Sequence, residues 1–178
     1  MRILNLAESI NAAYCNEEWL ENYDSERHRK RNLDLILEAR TSVLILTGEL
    51  DPAFYEREMF LYVLRTKLNE GISFEAVFHK GANTKEQAKK ELLIQNPSLI
   101  TTLQDQRGFS SFDFYWAPRR PRIHYTIIDD NSIFLEYPHL PKEQRHVLIA
   151  HNPYLAKHYR DEYNKFKENE GLVKIEWI

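Results

Sequence analysis

Apolar and polar residues follow two different periods along this chain, and each change of period marks an element. From Ser25 to Ala39 the spacing is helical, with Leu33, Ile36 and Leu37 on one side. Ser42 to Thr47 (SVLILT) is a short β-branched run ended by Gly48, the pattern of a buried strand. Asp51-Pro52 is a helix start, because Asp caps free amides and Pro fits the first turn. That helix is expected to run to about Asn69, with Leu61, Leu64 and Leu68 inward and Gly71 as its stop. Ile72 to Phe78 is a second strand. Thr84 and Gln87 form a capping box for a helix from Lys85 to about Gln95, ended by Asn96-Pro97. Leu99 to Leu103 and Ser110 to Trp116 are expected as strands.

Pro118-Arg119-Arg120-Pro121 is a rigid basic loop. Arg122 to Ile128 and Ser132 to Glu136 read as a hairpin turning at Asp130-Asn131. His146 to Ala150 is a further strand. Asn152-Pro153 then opens a helix carrying Leu155, Tyr159, Tyr163 and Phe166 on one face. Gly171 stops it, and Val173 to Trp177 is a terminal strand. The order predicts an α/β fold with a mixed, partly parallel sheet flanked by helices. Residues 25–178 form this domain, and 1–24 is expected to be an N-terminal arm or short helix.

Composition narrows the function classes. The chain has 178 residues, 43% hydrophobic and 29% charged, which suits one globular domain. Its net charge of −3 gives no support to a surface built as a whole for nucleic acid. The one cysteine, Cys15, cannot form an intrachain disulfide and is a poor start for a zinc site. The N-terminus lacks the apolar run of a signal peptide, and no stretch approaches a membrane span, so a cytoplasmic protein is expected. Glu49 and Asp51 flank a strand end without His or Cys support, so no metal and no cofactor are expected.

The run RIHYTIIDD, from Arg122 to Asp130, carries the most chemistry. On a strand, Ile123, Tyr125 and Ile127 share one apolar face, while Arg122, His124 and Thr126 share the other. Arg offers a fixed fork for phosphate oxygens, and His can donate, accept or attack. The candidate ligand-binding residues are therefore Arg122, His124, Thr126, Arg120 and His139. His124 is the catalytic candidate only if the chain is an enzyme. Against this, Arg122 with His124 also reads as a structural pair on a sheet face covered by a helix. His139 reads as a loop histidine, and Asp129 as a turn residue bonding local backbone. His79-Lys80 reads as an exposed loop pair. Arg27 to Arg31 and Arg119-Arg120 read as solvated charge, and Phe112 to Trp116 as core rather than a base-stacking platform.

RIHYTIIDDNSIFLEYPH resembles the signature strand and hairpin of the phospholipase D superfamily, which carries His, any residue, Lys, four residues, Asp. With Asp129 at the family's Asp, Arg122 falls at the nucleophilic His position and His124 at the Lys position. The family's Gly-Ser pair would fall near Glu136 and Tyr137 and is missing. SVLILTGELDPAFYEREMFLYVLRTKLNEGISFEAVFHKG resembles the family's first strand–helix–strand unit, and HNPYLAKHYRDEYNKF resembles its later helix. The resemblance spans Ser25 to the C-terminus. Enzymes of the family pair two such halves, so one half here implies a homodimer. Glu136, Pro138 and His139 are loosely similar to degenerate, non-enzymatic halves, such as the C-terminal domains of MIT proteins and archaeal regulator domains.

Three functions follow from the resemblance. The first is a non-catalytic or weakly active module binding an anionic, phosphate-containing ligand or a partner protein through Arg122 and His124. The second is a dimeric, metal-independent phosphodiesterase or nuclease using His124. The third is an interaction scaffold with no small ligand. Nucleic acid and lipid headgroups remain open as partners without support from the residues. The missing Lys favours the first, because moving the imidazole by two strand positions displaces it by about 6–7 Å.

Overall fold

Aliphatic and aromatic residues occupy consecutive strand positions here, so both faces of the sheet demand a cover. The computed structural model of the chain describes residues 16–20, 25–79, 81–105, 111–136 and 147–177. In chain order the elements are β1 (Asn16–Leu20), α1 (Ser25–Glu38), β2 (Ser42–Leu46), α2 (Pro52–Tyr55), α3 (Glu58–Asn69), β3 (Ser73–Phe78), α4 (Lys85–Gln95), α5 (Pro97–Asp105), β4 (Phe112–Trp116), β5 (His124–Ile128), β6 (Ser132–Glu136), β7 (Val147–His151), α6 (Pro153–Asn169) and β8 (Val173–Lys174). The described strands make one mixed sheet in the order β1-β7-β6-β5-β2-β3-β4-β8. β2, β3 and β4 are parallel, and the pairs from β2 through β5, β6 and β7 to β1 are antiparallel.

One face of the sheet packs Val43, Ile45, Phe74, Phe78, Phe114 and Ile149 against helices α1 to α5. The other packs Leu44, Val77, Tyr125, Ile127 and Leu148 against Leu155, Tyr159 and Tyr163 of α6. α6 starts where expected: the Asn152 side chain accepts from the amides of Tyr154 and Leu155, with Pro153 in the first turn. Its far end is pinned to the sheet by Glu75, which accepts from the Tyr163 hydroxyl and from Lys167 Nζ at 2.9 Å. Burial, and then the Glu75 carboxylate, push the Tyr163 phenol well above its ordinary value, so it stays a donor.

Four expectations are corrected. Leu99 to Leu103 is not a strand but lies in α5, where Leu99, Ile100 and Leu103 form a helical stripe that is fully buried or nearly so. The helix from Pro52 is interrupted at Glu56-Arg57. The Glu56 carboxylate is used instead to cap α5, accepting from the amides of Ser98 (3.0 Å) and Leu99 (2.9 Å). Within the segment expected as an arm or short helix, residues 16–20 form the edge strand β1, in register with β7 from Asn16↔His151 to Leu20↔Val147. The hairpin turn centres on Asp129-Asp130, both at positive φ (53° and 56°), and is closed by Asn131 N–H to Ile128 C=O at 3.0 Å. Two consecutive positive φ values are what a tight hairpin twist demands, and Asp tolerates them better than most residues.

Asp129 does more than turn the chain. Its carboxylate accepts from the amides of Arg40 (2.7 Å), Thr41 (2.8 Å) and Ser42 (2.9 Å), and from the Thr41 hydroxyl (2.8 Å). The hairpin is thereby tied to the entry of β2. Burial alone would raise this carboxyl, but the Ser42, Thr41 and Arg40 amides and the Thr41 hydroxyl outweigh it and hold it below its ordinary value. A carboxyl depressed in the folded state contributes stability above its unfolded pKa and loses it as pH falls through the folded one. Asp129→Ala is expected to cost about 2–3 kcal/mol in urea unfolding at pH 7, as loss of charged hydrogen bonds does. The gap to wild type should begin to narrow below about pH 4, where the unfolded-state carboxyl protonates, and go on narrowing as pH falls through the lower folded value. A gap unchanged between pH 7 and pH 3 would show that the charge does not matter.

Candidate functional site

The parallel strands β2, β3 and β4 all end at one edge of the sheet, and the antiparallel β5 starts there. Open α/β sheets place ligands at that edge. The loops leaving it are cross-linked. His79 N–H donates to Gly48 C=O at 3.2 Å, and His79 Nδ1 meets Ala117 C=O at 2.9 Å, a contact that needs the proton on Nδ1. Thr47 Oγ1 donates to Glu49 C=O at 2.8 Å and tightens the turn after β2. His79 is therefore a structural tie in a loop, and Lys80 lies outside the described residues.

His124, the first residue of β5, stands at the centre of this edge. Its Nε2 accepts the Gly48 N–H at 2.8 Å. The lone pair that could attack phosphorus is thus directed at a backbone amide, and the neutral ring must carry its proton on Nδ1. Gly48 makes the approach feasible, since a Cβ there would lie 2.8 Å from Arg120 Nε and 3.0 Å from His124 Nε2. The cavity in front of the imidazole has a volume of about 280 Å³. α1 supplies His28, Arg29 and Asn32 to its wall, and the turn after β2 supplies Glu49 and Asp51.

The charges in this cavity satisfy one another. Arg29 bridges Glu26 (3.1 Å) and Asp51 (3.2 Å), and Arg120 meets Glu49 at 3.2 Å. Glu136, opposite His124 across the β5–β6 ladder, adds a further carboxylate. The guanidiniums of Arg29 and Arg120 face three carboxylates, those of Glu49, Asp51 and Glu136. An incoming phosphate would have to displace existing partners and lie beside fixed negative charge.

The structure separates the residues that the sequence grouped. Arg122 is not on the strand. It sits in the bend before β5, exposed, and lines a different cleft with Arg119, Arg120 and α6. The expectation of Arg122 and His124 sharing one groove is therefore corrected. Ladder pairing starts only at His124, opposite Glu136, so the Pro121-Arg122 bend never joins the sheet. Thr126 does share the His124 face but is 2% exposed, beneath α1, and reaches no ligand space. Arg120 borders both cavities. His139 lies outside the described residues. His28 and Arg29 entered the sequence reading only as part of a basic run. Their helical spacing placed them on α1, but nothing in the sequence placed α1 over β5.

A second constellation lies at the opposite end of the sheet, where Ser132, His151 and Asp129 line a depression of about 970 Å³. Ser132 Oγ is 2.9 Å from His151 Nδ1, but it also donates to Asn131 Oδ1 at 2.8 Å. One hydroxyl proton cannot serve both contacts. Glu38 stands 4.0 Å from the same Nδ1, not from Nε2, so Ser132, His151 and Glu38 do not form a nucleophile–base–orienter relay.

No family model matches the sequence, and no curated protein matches it in sequence. Solved structures do match the fold. Nuc, a phospholipase D family member from Salmonella typhimurium, aligns with a TM-score of 0.59 and 13% identity, covering 92% of this chain and 98% of that one. TrmBL2, an archaeal chromatin protein that binds DNA, aligns with a TM-score of 0.61 and 10% identity over 93% of this chain and 58% of its own. Phosphatidylserine synthase of Haemophilus influenzae Rd KW20 aligns with a TM-score of 0.58 and 11% identity, over 90% of this chain and 39% of its own. The chain thus spans well under two thirds of the latter two proteins. Its α/β architecture is the phospholipase D-like fold.

The tautomer is directly measurable. In long-range ¹H–¹⁵N spectra, the neutral His124 ring should show a bare, hydrogen-bonded Nε2 and a protonated Nδ1. The reverse pattern would mean that the Gly48 amide is not held.

Proposed function

We propose that this chain is a phospholipase D-like binding module without phosphodiester chemistry, which takes an anionic ligand or partner through the basic loop at Arg119, Arg120 and Arg122. The engagement of His124 Nε2 by the Gly48 amide carries this reading. Metal-independent phosphoryl transfer through a histidine needs a free lone pair and cations to hold the phosphate. Here the lone pair is taken, and the cations beside it are ion-paired. The position that holds the nucleophile in the resembling family holds Arg122, a guanidinium that stays protonated and cannot attack. Freeing His124 would require a rearrangement of the β2 exit loop.

The resemblance also implies that two copies associate, and light scattering should then return twice the chain mass. A strict monomer at high concentration would remove every version of the function that needs a shared site.

Purified protein is expected to show no turnover of bis-p-nitrophenyl phosphate and no nuclease activity. His124→Ala is expected to leave that baseline unchanged. Turnover by wild type that vanishes in His124→Ala would overturn the proposal and establish a phosphodiesterase. With no turnover, binding of phosphate, sulfate or anionic headgroups that weakens in Arg122→Ala supports the anion reading, and absence of any binding leaves only a scaffold.

A further inference from the structure

On the face of the sheet opposite α1, a cleft of about 750 Å³ runs between α6 and the loop that carries Arg119 to Ile123. It faces away from the cover over Thr126, and the chemistry considered for His124 does not use it. Its floor is apolar, made by Leu46, Ile123 and Phe166. Its long wall is α6 from His158 to Asn169, with Glu170 at the C-cap, about 18 Å of helix at 1.5 Å per residue. The rim is basic. Arg119, Arg120, Arg122 and Lys165 outnumber Glu162 and Glu170, in a chain whose net charge is −3.

The cations are spread along the cleft rather than gathered at one point. Arg119 meets Glu170 at one end of the wall (3.5 Å). Lys165 pairs with Glu162 more than a turn earlier (2.7 Å). Arg120 leans across to Glu49 on the far side (3.2 Å). Both carboxylates of the rim are thus occupied. Arg122 is exposed and makes no ion pair among the described residues. A single phosphate could engage only one part of such a rim, whereas a row of carboxylates could follow it.

We infer that this groove docks a short acidic segment of a partner protein. Aliphatic or aromatic side chains of the segment would lie on the Ile123–Phe166 floor, with Asp or Glu set against Arg122, Arg119 and Lys165. The length of the wall matches five or six extended residues at about 3.3 Å each. Single-stranded nucleic acid fits less well. Tyr125 and Tyr159 are each only 5% exposed, and their 5.3 Å ring contact closes the bottom of the cleft, which leaves neither with an open ring face for a base. The inference rests on reading the chain as a binding module, and the turnover assay tests that reading separately.

The test uses the full chain against an array of roughly 12-residue peptides in four compositions: acidic with apolar anchors, acidic without anchors, basic with anchors, and neutral with anchors. Affinities are then measured by fluorescence polarisation, with a labelled oligo-dT of matching length as the nucleic-acid arm. Acidic, anchored peptides are expected to bind, and to weaken as salt rises. Arg122→Glu and Lys165→Glu should each raise the dissociation constant about tenfold or more. Unchanged thermal melts would show that these exposed substitutions leave the fold intact. The inference is overturned if no acidic, anchored peptide binds, if anchors make no difference, if the variants bind as wild type does, or if oligo-dT is preferred. It is overturned too if a dimer mass falls to a monomer in Arg122→Glu, which would place a second copy in the groove. Wild-type turnover with peptide binding intact would sink the non-catalytic reading alone.

Discussion

One carboxylate joins the two halves of this sheet. The parallel half, β2 to β4, is built from strand–helix–strand units, and the antiparallel half from the β5–β6 hairpin and β7. Among the described strands, only the β2–β5 ladder connects them within the sheet. Strand pairing by backbone alone tolerates slippage, and a one-residue slip would send every side chain to the wrong face. Asp129 removes that freedom by collecting the amides of Arg40, Thr41 and Ser42 at one end of the ladder. With Val43 held opposite Ile128, Leu46 must fall opposite Tyr125, and His124 then meets the loop after β2. The position of the imidazole at one edge is thus fixed by a turn at the other. It also explains the two positive φ values in succession, since the turn must present its carboxylate back toward the neighbouring strand.

The same constraint bears on the chemistry. In the resembling family, Asp stands at the end of a strand whose beginning carries the reactive pair. In this chain Asp129 follows β5 and ties its end to residues 40–42. His124 begins β5 at the edge where β2 ends, and its Nε2 accepts the Gly48 amide. Arg122 is pushed off the strand by the bend after Pro121 and faces the α6 side instead. The aspartate anchor and the imidazole sit at different ends of one strand, so each has contacts of its own.

The sequence carried most of the fold. Strand runs at β2 and β3, the Asp51-Pro52 and Asn152-Pro153 caps, and the apolar stripe of α6 are local signals, and local signals survive folding. Several of the differences arise where a distant partner decides the outcome. At the break between α2 and α3 the Glu56 carboxylate caps α5, a contact across 42 positions that local periodicity does not show. Asp129 was read correctly as structural, but its partners lie at residues 40–42 rather than in its own turn. Leu99 to Leu103 was misread because Ile100 and two threonines are β-branched, although Leu99, Ile100 and Leu103 already matched a helical stripe. The strand at residues 16–20 has no periodic signature, and only its pairing with β7 defines it. The pairing of Arg122 with His124 rested on alternation, which holds only where the strand continues, and β5 begins at His124.

Charge distribution ties fold and function together. The overall charge is negative, yet neither arginine-bearing cavity is simply acidic. In front of His124 each arginine lies beside a carboxylate, so that cavity is closed by its own ion pairs. Across the sheet, the loop from Arg119 to Arg122 faces a helix with too few carboxylates to match it. Arg120 borders both spaces and is engaged by Glu49 on the first side, so the residue paired at the His124 edge also borders the rim of the α6 groove. The ion-paired edge at His124 and the basic rim of the α6 groove therefore share a single loop, Arg119 to Arg122.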